Sequence, residues 1–425
     1  MADTIFALSS GRPPAAISVI RISGPQANEA AERLAGRLPA LRAASLRELR
    51  NPQSGEAIDQ ALVVRFAAPA SSTGEDVVEF QCHGGRATVD ALLHSLAQLE
   101  GLRRAEPGEF TRRAFENGRI DLTEAEGLAD LIEAETQSQR KAALALAEGG
   151  LRKQIERWQE KLLALSAQAE RAIDYDEDDQ SVDLAIVEGC AALARELRDW
   201  LDRPRIEPLK AGILVVVAGP PNVGKSSLVN VIAGEDRAIV TAIPGTTRDH
   251  IEVALSLGGV PIRLIDTAGL RDTSDEVEAI GVERAAKLVE LADVLLWLGA
   301  PSASPDHPRL IRVHSKADLA DRAEAPDGSY PLSTVTGAGL AELVRRIEDF
   351  ARSILPKEDS IALNRRQAAC VSAAATALSD AADAPDHVLV AEELRTARLA
   401  FDRLTGRAGV EDVLDALFGR FCLGK

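Results

Sequence analysis

The spacing of apolar residues changes character three times along the chain. In the first 120 residues, runs rich in β-branched residues, such as 17–22 and 61–66, predict strands, whereas 89–99 has helical spacing. From residue 123 to residue 201 the helical spacing persists, and Ala, Leu, Glu, Arg and Gln dominate. The pattern therefore predicts a small α+β domain followed by helices.

A different kind of strand is predicted after Pro204 and Pro208. Residues 213–217 form a continuous apolar run, which is typical of a strand buried in a parallel sheet. After Pro356 the composition is again Ala-rich and helical. We therefore predict a multidomain fold of the α/β and α+β classes: an N-terminal α+β domain at 1–120, a discontinuous helical domain at 121–209 and 357–425, and an inserted α/β domain at 210–356.

Composition and charge narrow the class of protein. The chain has 425 residues, 46% hydrophobic and 27% charged, which is typical of globular proteins of about three domains. The net charge is −17, and residues 121–209 carry 11 basic against 21 acidic side chains. This balance argues against broad non-specific coating of nucleic acid, so we expect nucleic-acid contacts to be local or shared with a partner.

No feature of the chain predicts a membrane or secreted protein. No stretch approaches the roughly 18 apolar residues of a membrane span, and the N-terminus lacks the basic flank of a signal peptide. The four cysteines, at positions 82, 190, 370 and 422, have neither metal-ligand spacing nor disulfide density. We expect reduced thiols and a cytoplasmic protein.

A phosphate-binding loop follows the predicted strand at 213–217. Residues 219–226 read G-P-P-N-V-G-K-S and lead into a helical run. In such loops the backbone N–H groups and the helix N-terminus bind phosphate, Lys225 reaches the terminal phosphates and Ser226 ligates Mg²⁺. The nucleotide-binding candidates here are Asn222, Val223, Gly224, Lys225, Ser226 and Ser227.

Two further motifs stand where a GTPase needs its switches. The motif G-T-T-R-D at 245–249 lies at the position of a first switch, where Thr247 would complete magnesium coordination. Residues 260–265 predict a strand that ends in D-T-A-G, where Asp266 would hold magnesium through water and the Gly269 N–H would meet the γ-phosphate. The nucleotide-binding candidates of this region are Thr241, Thr246, Thr247, Asp266, Thr267, Ala268 and Gly269.

The base-reading motif departs from the usual N-K-x-D. Here it reads S-K-A-D, so Asp318 can accept from the guanine N–H groups and Lys316 can pack on the ring, while Ser315 offers only a hydroxyl. Ser333 and Thr334 fall in the last base-contacting loop. We favour GTP over ATP, because an unmatched buried carboxylate penalises adenine.

The residue that orients the attacking water is not the usual glutamine. Leu270 follows Gly269, so another group must do this work. Glu278 is a candidate general base, although a solvated surface acid is the more common role for such a residue. A monovalent cation near Asn222 would supply positive charge to the transition state.

The short stretch between Trp297 and Ser315 indicates a trimmed GTPase domain.

Motifs outside the nucleotide site extend over essentially the whole chain. They lie at 3–5, 21–24, 74–79, 82–85, 107–115, 117–122 and the C-terminal F-C-L-G-K at 421–425. With the GTPase motifs, they resemble the bacterial tRNA modification GTPase family MnmE, also called TrmE. The resemblance implies an N-terminal folate-binding and dimerisation domain, a helical domain, and an inserted GTPase domain of the Ras-like TrmE-Era type.

The resemblance also implies an activity and partners. The family works as a homodimer with the FAD-containing flavoprotein MnmG (GidA), in a heterotetramer or larger complex. Together they add a carboxymethylaminomethyl- or aminomethyl-type group to C5 of the wobble uridine (position 34) of tRNA. The one-carbon donor is a 5-formyl- or methylene-tetrahydrofolate. Given the acidic charge of this chain, we expect tRNA to be held mostly by the partner.

The resemblance assigns roles to individual residues. Potassium that stimulates GTP hydrolysis would be held by Asn222, Thr241, Ile243 and Thr246. Glu278 would be the catalytic glutamate and would act with Lys225 and Gly269. The folate contacts carry over as Arg21, Glu79, Arg119 and Lys425. Cys422 is either near the one-carbon site or an ordinary buried thiol, and His83 is either a ligand or a structural residue.

The residues alone are also compatible with two alternative functions. One is a GTP-dependent ribosome-assembly or checkpoint factor, which uses a similar Thr-Thr-Arg-Asp switch. The other is a folate-binding scaffold whose GTPase site is only regulatory. The N-terminal 120 residues and the C-terminal C-L-G-K tail separate the favoured function from the first alternative, because such assembly factors lack both.

Overall fold

The computed structural model describes residues 3–175, 183–234, 251–267, 285–357, 360–421 and 424. The chain divides into two compact units. One contains Met1–Ala129, Leu151–Arg157 and Leu399–Lys425, and the other contains Asp130–Gly150 and Trp158–Arg398. The predicted mixture of α+β and α/β architecture is confirmed, while the predicted domain boundaries stay predictions.

The first unit is built on a six-stranded sheet with the order β3-β4-β5-β2-β1-β6. Neighbouring strands are antiparallel, except that β6 runs parallel to β1. Alternate strand residues such as Ile22 and Phe80 pack with α1 (Ala27–Ala35) and α2 (Arg86–Ala97) into one core. The strands are β1 (Thr4–Leu8), β2 (Ala15–Ser23), β3 (Ser45–Arg50), β4 (Ala57–Phe66), β5 (Val77–Gly84) and β6 (Leu102–Arg104).

A smaller apolar cluster of the first unit brings distant parts of the sequence together. Leu122 and Ala125 pack with Leu414, Phe418 and Phe421, which lie near the C-terminus. The helices that contribute described residues to this unit are α1 (Ala27–Ala35), α2 (Arg86–Ala97), α3 (Glu109–Glu116), α14 (Glu411–Phe418) and parts of α4 (Leu122–Glu133), α6 (Gly150–Tyr175) and α13 (His387–Thr405).

The second unit contains a sheet with the order β12-β11-β10-β7-β9-β8. All described neighbours are parallel except the edge pair of β8 and β9. The predicted buried strand is confirmed as β7, which lies in the interior of the sheet. The strands are β7 (Ile213–Ala218), β8 (Ile251–Leu257), β9 (Val260–Asp266), β10 (Val294–Trp297), β11 (Leu310–Ser315) and β12 (Tyr330–Leu332).

Helices cover this sheet and form a separate bundle. The helices predicted at 123–201 and after Pro356 are confirmed for the described residues of both stretches. Trp158 packs edge-on against Trp200, with ring centroids 5.3 Å apart. Between β10 and β11, every residue is described and the helical structure is limited to a 3-10 turn, Pro301–Ala303. The remaining helices are α5 (Gln137–Ala147), α7 (Leu184–Leu201), α8 (Glu207–Ala211), α9 (Lys225–Ala233), α10 (285–291), α11 (Leu340–Ile354) and α12 (Arg365–Ala382).

The apolar content of the helices does not reach that of a membrane span. Within the described ranges, none of the helices combines the length and hydropathy needed to cross a bilayer.

Candidate functional site

The phosphate loop joins the carboxyl end of β7 to the N-terminus of α9. The neighbours of β7 in the sheet are β9 on one side and β10 on the other, so the strand order reverses there. In open α/β sheets, ligands bind in the crevice that such a reversal creates. The backbone N–H groups at the start of α9 therefore face the position where an anion is best stabilised.

The loop backbone depends on its glycines at two points. Gly219 has φ +149° and Gly224 has φ +100°, both in the region that favours glycine. A Cβ on Gly219 would lie only 3.2 Å from the carbonyl carbon of Leu298. Asn222 also has a positive φ, +60°, which asparagine tolerates better than most residues. The sequence motif thus encodes a curled backbone.

Lys225 is buried and folds back over the loop that precedes it. Its Nζ donates to the carbonyl oxygens of Gly219, at 3.1 Å, and Pro220, at 2.8 Å. The ammonium therefore lies inside the curve of the loop, where the phosphates of a nucleotide bind. A phosphate oxygen is a stronger acceptor than a neutral carbonyl for this charged donor.

Ser226 and Asp266 meet at the edge of the same crevice. The Ser226 hydroxyl donates to Oδ2 of Asp266 at 2.5 Å, and Asp266 is fully buried at the end of β9. A hydroxyl and a carboxylate oxygen are the hard ligands that Mg²⁺ prefers, usually with waters completing the octahedron. The donor set of these two residues fits a magnesium ion.

Thr267 fixes the end of β9 against β7. Its buried hydroxyl donates to the carbonyl of Val217 at 3.0 Å. The remaining candidates of the switches lie outside the described residues. They are Thr241, Ile243, Thr246, Thr247, Ala268, Gly269 and Glu278.

The base-reading residues lie on two neighbouring loops. Ala317 N–H donates to the carbonyl of Leu332 at 3.1 Å, which joins the loop after β11 to the last residue of β12. Asp318 is exposed and Thr334 is partly exposed. Ser333 is buried, and its hydroxyl accepts from the N–H groups of residues 335 and 336, at 3.3 and 3.1 Å. Ser333 therefore shapes its loop through its own backbone.

The same region holds contacts that the sequence did not predict. Ser315 is buried and donates its hydroxyl to the carbonyl of Val223 at 2.6 Å. Lys316, at φ +60°, donates through Nζ to the carbonyl of Asn222 at 2.9 Å. The departure from N-K-x-D was visible in the sequence, but the partners of these side chains were not.

A charged pair on the first sheet coincides with two predicted folate residues. Arg21 and Glu79 are directly opposite each other on β2 and β5, and Nε of Arg21 donates to Glu79 at 2.9 Å. Both side chains are partly exposed. The guanidinium also lies over the ring of Phe110, 5.5 Å from its centroid. The pair thus has a fixed position on the face of the sheet.

The C-terminal tail reaches the same sheet. A Cβ on Gly424 would lie 2.0 Å from the carbonyl oxygen of Leu8, so the tail contacts the end of β1. The residue before Leu8 pairs with Arg21. Arg119 is exposed beside Gly74. Lys425 and Cys422, the other predicted residues here, lie outside the described residues.

A buried polar cluster around Arg113 in the first unit was not assigned by the sequence. Arg113 is 8% exposed and pairs with Asp3, Glu75 and Glu109, at 2.7, 3.1 and 3.1 Å. Burial alone would lower the pKa of Arg113, but Glu75 and, after it, Glu109 raise it. The P-G-E-F-T-R-R motif was the available signal, and it indicates a buried structural network.

His83 has a carboxylate partner. Its Nδ1 lies 2.7 Å from Oδ1 of Asp59, and its backbone N–H donates to Oδ2 of the same residue at 2.8 Å. Burial tends to raise the pKa of Asp59, but hydrogen bonds, first from His83 and then from the Gln60 N–H, lower the pKa below its usual value. No cluster of three metal-ligating side chains occurs in the parts of the chain that the structure describes.

Family models match both ends of the chain and almost everything between them. Residues 4–119 match the model for the GTP-binding protein TrmE N-terminus, and residues 122–422 match the model for the MnmE helical domain. The chain is 51% identical over its full length to the full-length tRNA modification GTPase MnmE of Erythrobacter litoralis. The chain belongs to the tRNA modification GTPase MnmE family. Further relatives share this description.

Those relatives include the proteins of Novosphingobium aromaticivorans, 50% identical over all of both chains, and Zymomonas mobilis, 49% identical over 99% of this chain and all of that one. Among solved structures, an Era variant from Aquifex aeolicus aligns with 39% of this chain and 66% of its own, at 26% identity and a TM-score of 0.25.

Membership in the family makes the protein a GTPase and confirms the predicted resemblance. The helical-domain model begins before β7 and ends after β12, so the second sheet lies within its span.

Proposed function

We propose that this GTPase acts with a flavoprotein partner to add a carboxymethylaminomethyl- or aminomethyl-type group to C5 of the wobble uridine of tRNA, with a tetrahydrofolate as one-carbon donor. The observation that carries the proposal is the pairing, on one chain, of the family's N-terminal domain at 4–119 with the built phosphate site of Lys225, Ser226 and Asp266. A GTPase with only a regulatory role does not need the N-terminal domain at 4–119.

Residues of the phosphate loop and of the switches both take part in the proposed hydrolysis of GTP. Lys225 binds the terminal phosphates, and Ser226 with Thr247 would ligate Mg²⁺, which would neutralise charge on the phosphates. Glu278 positions the attacking water and accepts its proton, while the Gly269 N–H contacts the γ-phosphate. Asn222 with Thr241, Ile243 and Thr246 would hold potassium at the same reaction centre.

The folate half rests on the geometry of Arg21 and Glu79. A pterin presents adjacent N–H donors, and a carboxylate such as Glu79 accepts two of them. Arg21 holds that carboxylate in place at 2.9 Å and Phe110 fixes the guanidinium. Arg119 and Lys425 would bind the glutamyl tail of the folate. Cys422 would lie close to the one-carbon unit.

Partners complete the proposal. The chain is proposed to form a homodimer through its N-terminal domain and to bind the FAD-containing partner MnmG. With a net charge of −17, the chain has little capacity to neutralise tRNA phosphates, so the partner would supply most of those contacts.

The first experiment separates the two halves of the function. GTP and ATP turnover by the purified chain is measured in KCl and in NaCl at equal ionic strength, and wobble-uridine modification is measured by mass spectrometry with the flavoprotein, folate and tRNA present. We expect turnover to prefer GTP and to be stimulated by K⁺. We expect Lys225→Ala to abolish both turnover and modification.

The second set of variants tests the folate site. Glu79→Gln should keep GTP turnover and lose modification, because the amide cannot accept both pterin donors. Glu48→Gln, on β3 of the same sheet and paired only at the surface with Arg50, is the matched control. Full modification by Glu79→Gln would exclude this folate site, and turnover indifferent to the cation would exclude the potassium site.

A further inference from the structure

Two consecutive residues of the base-reading loop bind two consecutive carbonyls of the phosphate loop. The Ser315 hydroxyl donates to the carbonyl of Val223 at 2.6 Å, and the Lys316 ammonium donates to that of Asn222 at 2.9 Å. These contacts span 92 and 94 residues of sequence. The shape of the phosphate loop therefore depends directly on residues 315 and 316.

The chemistry of a hydroxyl limits what Ser315 can do besides this. A serine hydroxyl has one proton, and its two lone pairs only accept. That proton lies in the bond to Val223, and the side chain is 3% exposed. Ser315 therefore offers a nucleotide base no donor without breaking a buried bond, which would leave the Val223 carbonyl unsatisfied.

Guanine needs both kinds of partner. Its N1 and N2 carry donors, while N7 and O6 are acceptors that require a donor from the protein. The exposed carboxylate of Asp318 is suited to the donor edge. An asparagine at position 315 would bring two N–H donors, one for a loop carbonyl and one for the base. The serine of this chain supplies only the first.

We propose that Ser315 is a positioning residue that braces the phosphate loop, and that the base site of this GTPase does not read N7 of guanine. Specificity for a guanine nucleotide then rests on atoms other than N7, among them the N1 and N2 donors that Asp318 would accept. The inference rests on the assignment of base reading to Asp318, so the experiment measures that assignment separately.

The test uses the full-length chain and competition against a fluorescent GDP analogue. The competitors are GDP, 7-deaza-GDP, in which N7 is replaced by a C–H group, and ADP. The wild-type chain should bind GDP and 7-deaza-GDP equally, within about twofold. Ser315→Ala should weaken both by one common factor, about 5- to 100-fold, because the Val223 carbonyl loses its donor.

Two further variants at the same position complete the design. Ser315→Thr keeps the hydroxyl and should retain the wild-type affinities within about threefold. Ser315→Asn should acquire a preference for GDP over 7-deaza-GDP of about three- to tenfold, which is the effect of one neutral hydrogen bond. Thermal melts of each variant check folding, and the Ala and Thr variants decide the result if the Asn variant is unfolded.

The outcomes are distinct. Wild-type discrimination against 7-deaza-GDP of about tenfold or more, lost in Ser315→Ala, would overturn the inference, since Ser315 would then be reading N7. Wild-type-like affinities of Ser315→Ala would overturn the brace. Equal affinity for GDP and ADP would instead overturn the reading of guanine by Asp318, while a uniform loss in Ser315→Ala would still support the brace.

Discussion

At the scale of single residues, the nucleotide site is assembled from side chains that are far apart in sequence. Ser226 and Asp266 are separated by 40 residues, yet their oxygens lie 2.5 Å apart. Lys225 is fixed by two carbonyls of its own loop. The chemistry of this site therefore depends on a few atoms, and single substitutions are informative.

Removal of the Ser226 hydroxyl should separate magnesium-dependent from magnesium-independent binding. We expect Ser226→Ala to lower GDP affinity in the presence of Mg²⁺ by about tenfold or more, since one hard ligand is lost, and to change affinity in EDTA by much less. The measurement is fluorescence titration with and without Mg²⁺. Ser353→Ala, on the exposed side of α11, is the control. An equal loss in both buffers would contradict the assignment of Ser226 to magnesium.

Burial raises the pKa of two cysteine thiols and should therefore slow their alkylation at ordinary pH. Burial, with the charge of Asp59 as a lesser cause, raises the pKa of Cys82 to about 11, and burial alone raises that of Cys190 to about 11. Because the thiolate is the reactive form, both should resist iodoacetamide at about pH 8 in the folded chain, and both should react quickly in denaturant. Peptide mapping by mass spectrometry measures each site. Fast labelling of folded Cys82 at neutral pH would show that the thiol is not buried as described.

At the scale of elements, local sequence signals and tertiary contacts act together. The helix α12 begins with a capping box, in which Asn364 accepts from the Gln367 N–H at 2.8 Å and Gln367 accepts from the Asn364 N–H at 3.0 Å. The same helix packs along α7, so its start fixes part of the helical bundle. The fully described stretch between β10 and β11 has no α-helix, and its helical structure is limited to one 3-10 turn.

Loss of the α12 cap should be measurable as stability. We expect Asn364→Ala to lower the free energy of unfolding by about 1 kcal/mol, because the Gln367 N–H at the helix start loses its side-chain acceptor. Asn364→Asp, which keeps an acceptor, should lose less than about half of that. Urea denaturation followed by circular dichroism provides the measurement. If Ala and Asp variants are equally destabilised, the cap is not the cause.

At the scale of the whole molecule, charge sets the expected behaviour toward nucleic acid. The chain carries 66 acidic and 49 basic residues. Because affinity for tRNA depends on phosphates neutralised by Lys and Arg, a protein with this balance needs a local basic surface or a partner to bind tightly. The proposed flavoprotein fills the second role.

Binding of tRNA should therefore depend on the partner. We expect the isolated chain to bind tRNA weakly and with a shallow dependence on salt between about 50 and 200 mM KCl. Addition of the flavoprotein should both tighten binding and steepen its salt dependence. Filter binding across that range, with and without the partner, measures this. Tight and steeply salt-dependent binding by the isolated chain would refute the prediction.

The sequence by itself determined the order of elements and the chemistry that depends on local order. The full pattern G-x-x-x-x-G-K-S between an apolar strand and a helix is specific to a phosphate loop, so residues 219–226 are interpretable without a fold. The periodicity of apolar residues likewise predicted β7 and the helices after Pro356, because each element buries one face or stripe. The resemblance to the family rested on motifs of the same local kind.

Only the tertiary structure decided which distant atoms meet. The carbonyl of Val223 as partner of Ser315, the position of Gly424 against Leu8, and the three carboxylates around Arg113 are contacts between separate parts of the chain. No local pattern encodes them, because a hydroxyl or guanidinium is compatible with many partners and the packing of the sheets selects one. The sequence therefore predicted the chemical groups of the site, whereas packing set the bonds that hold the described ones.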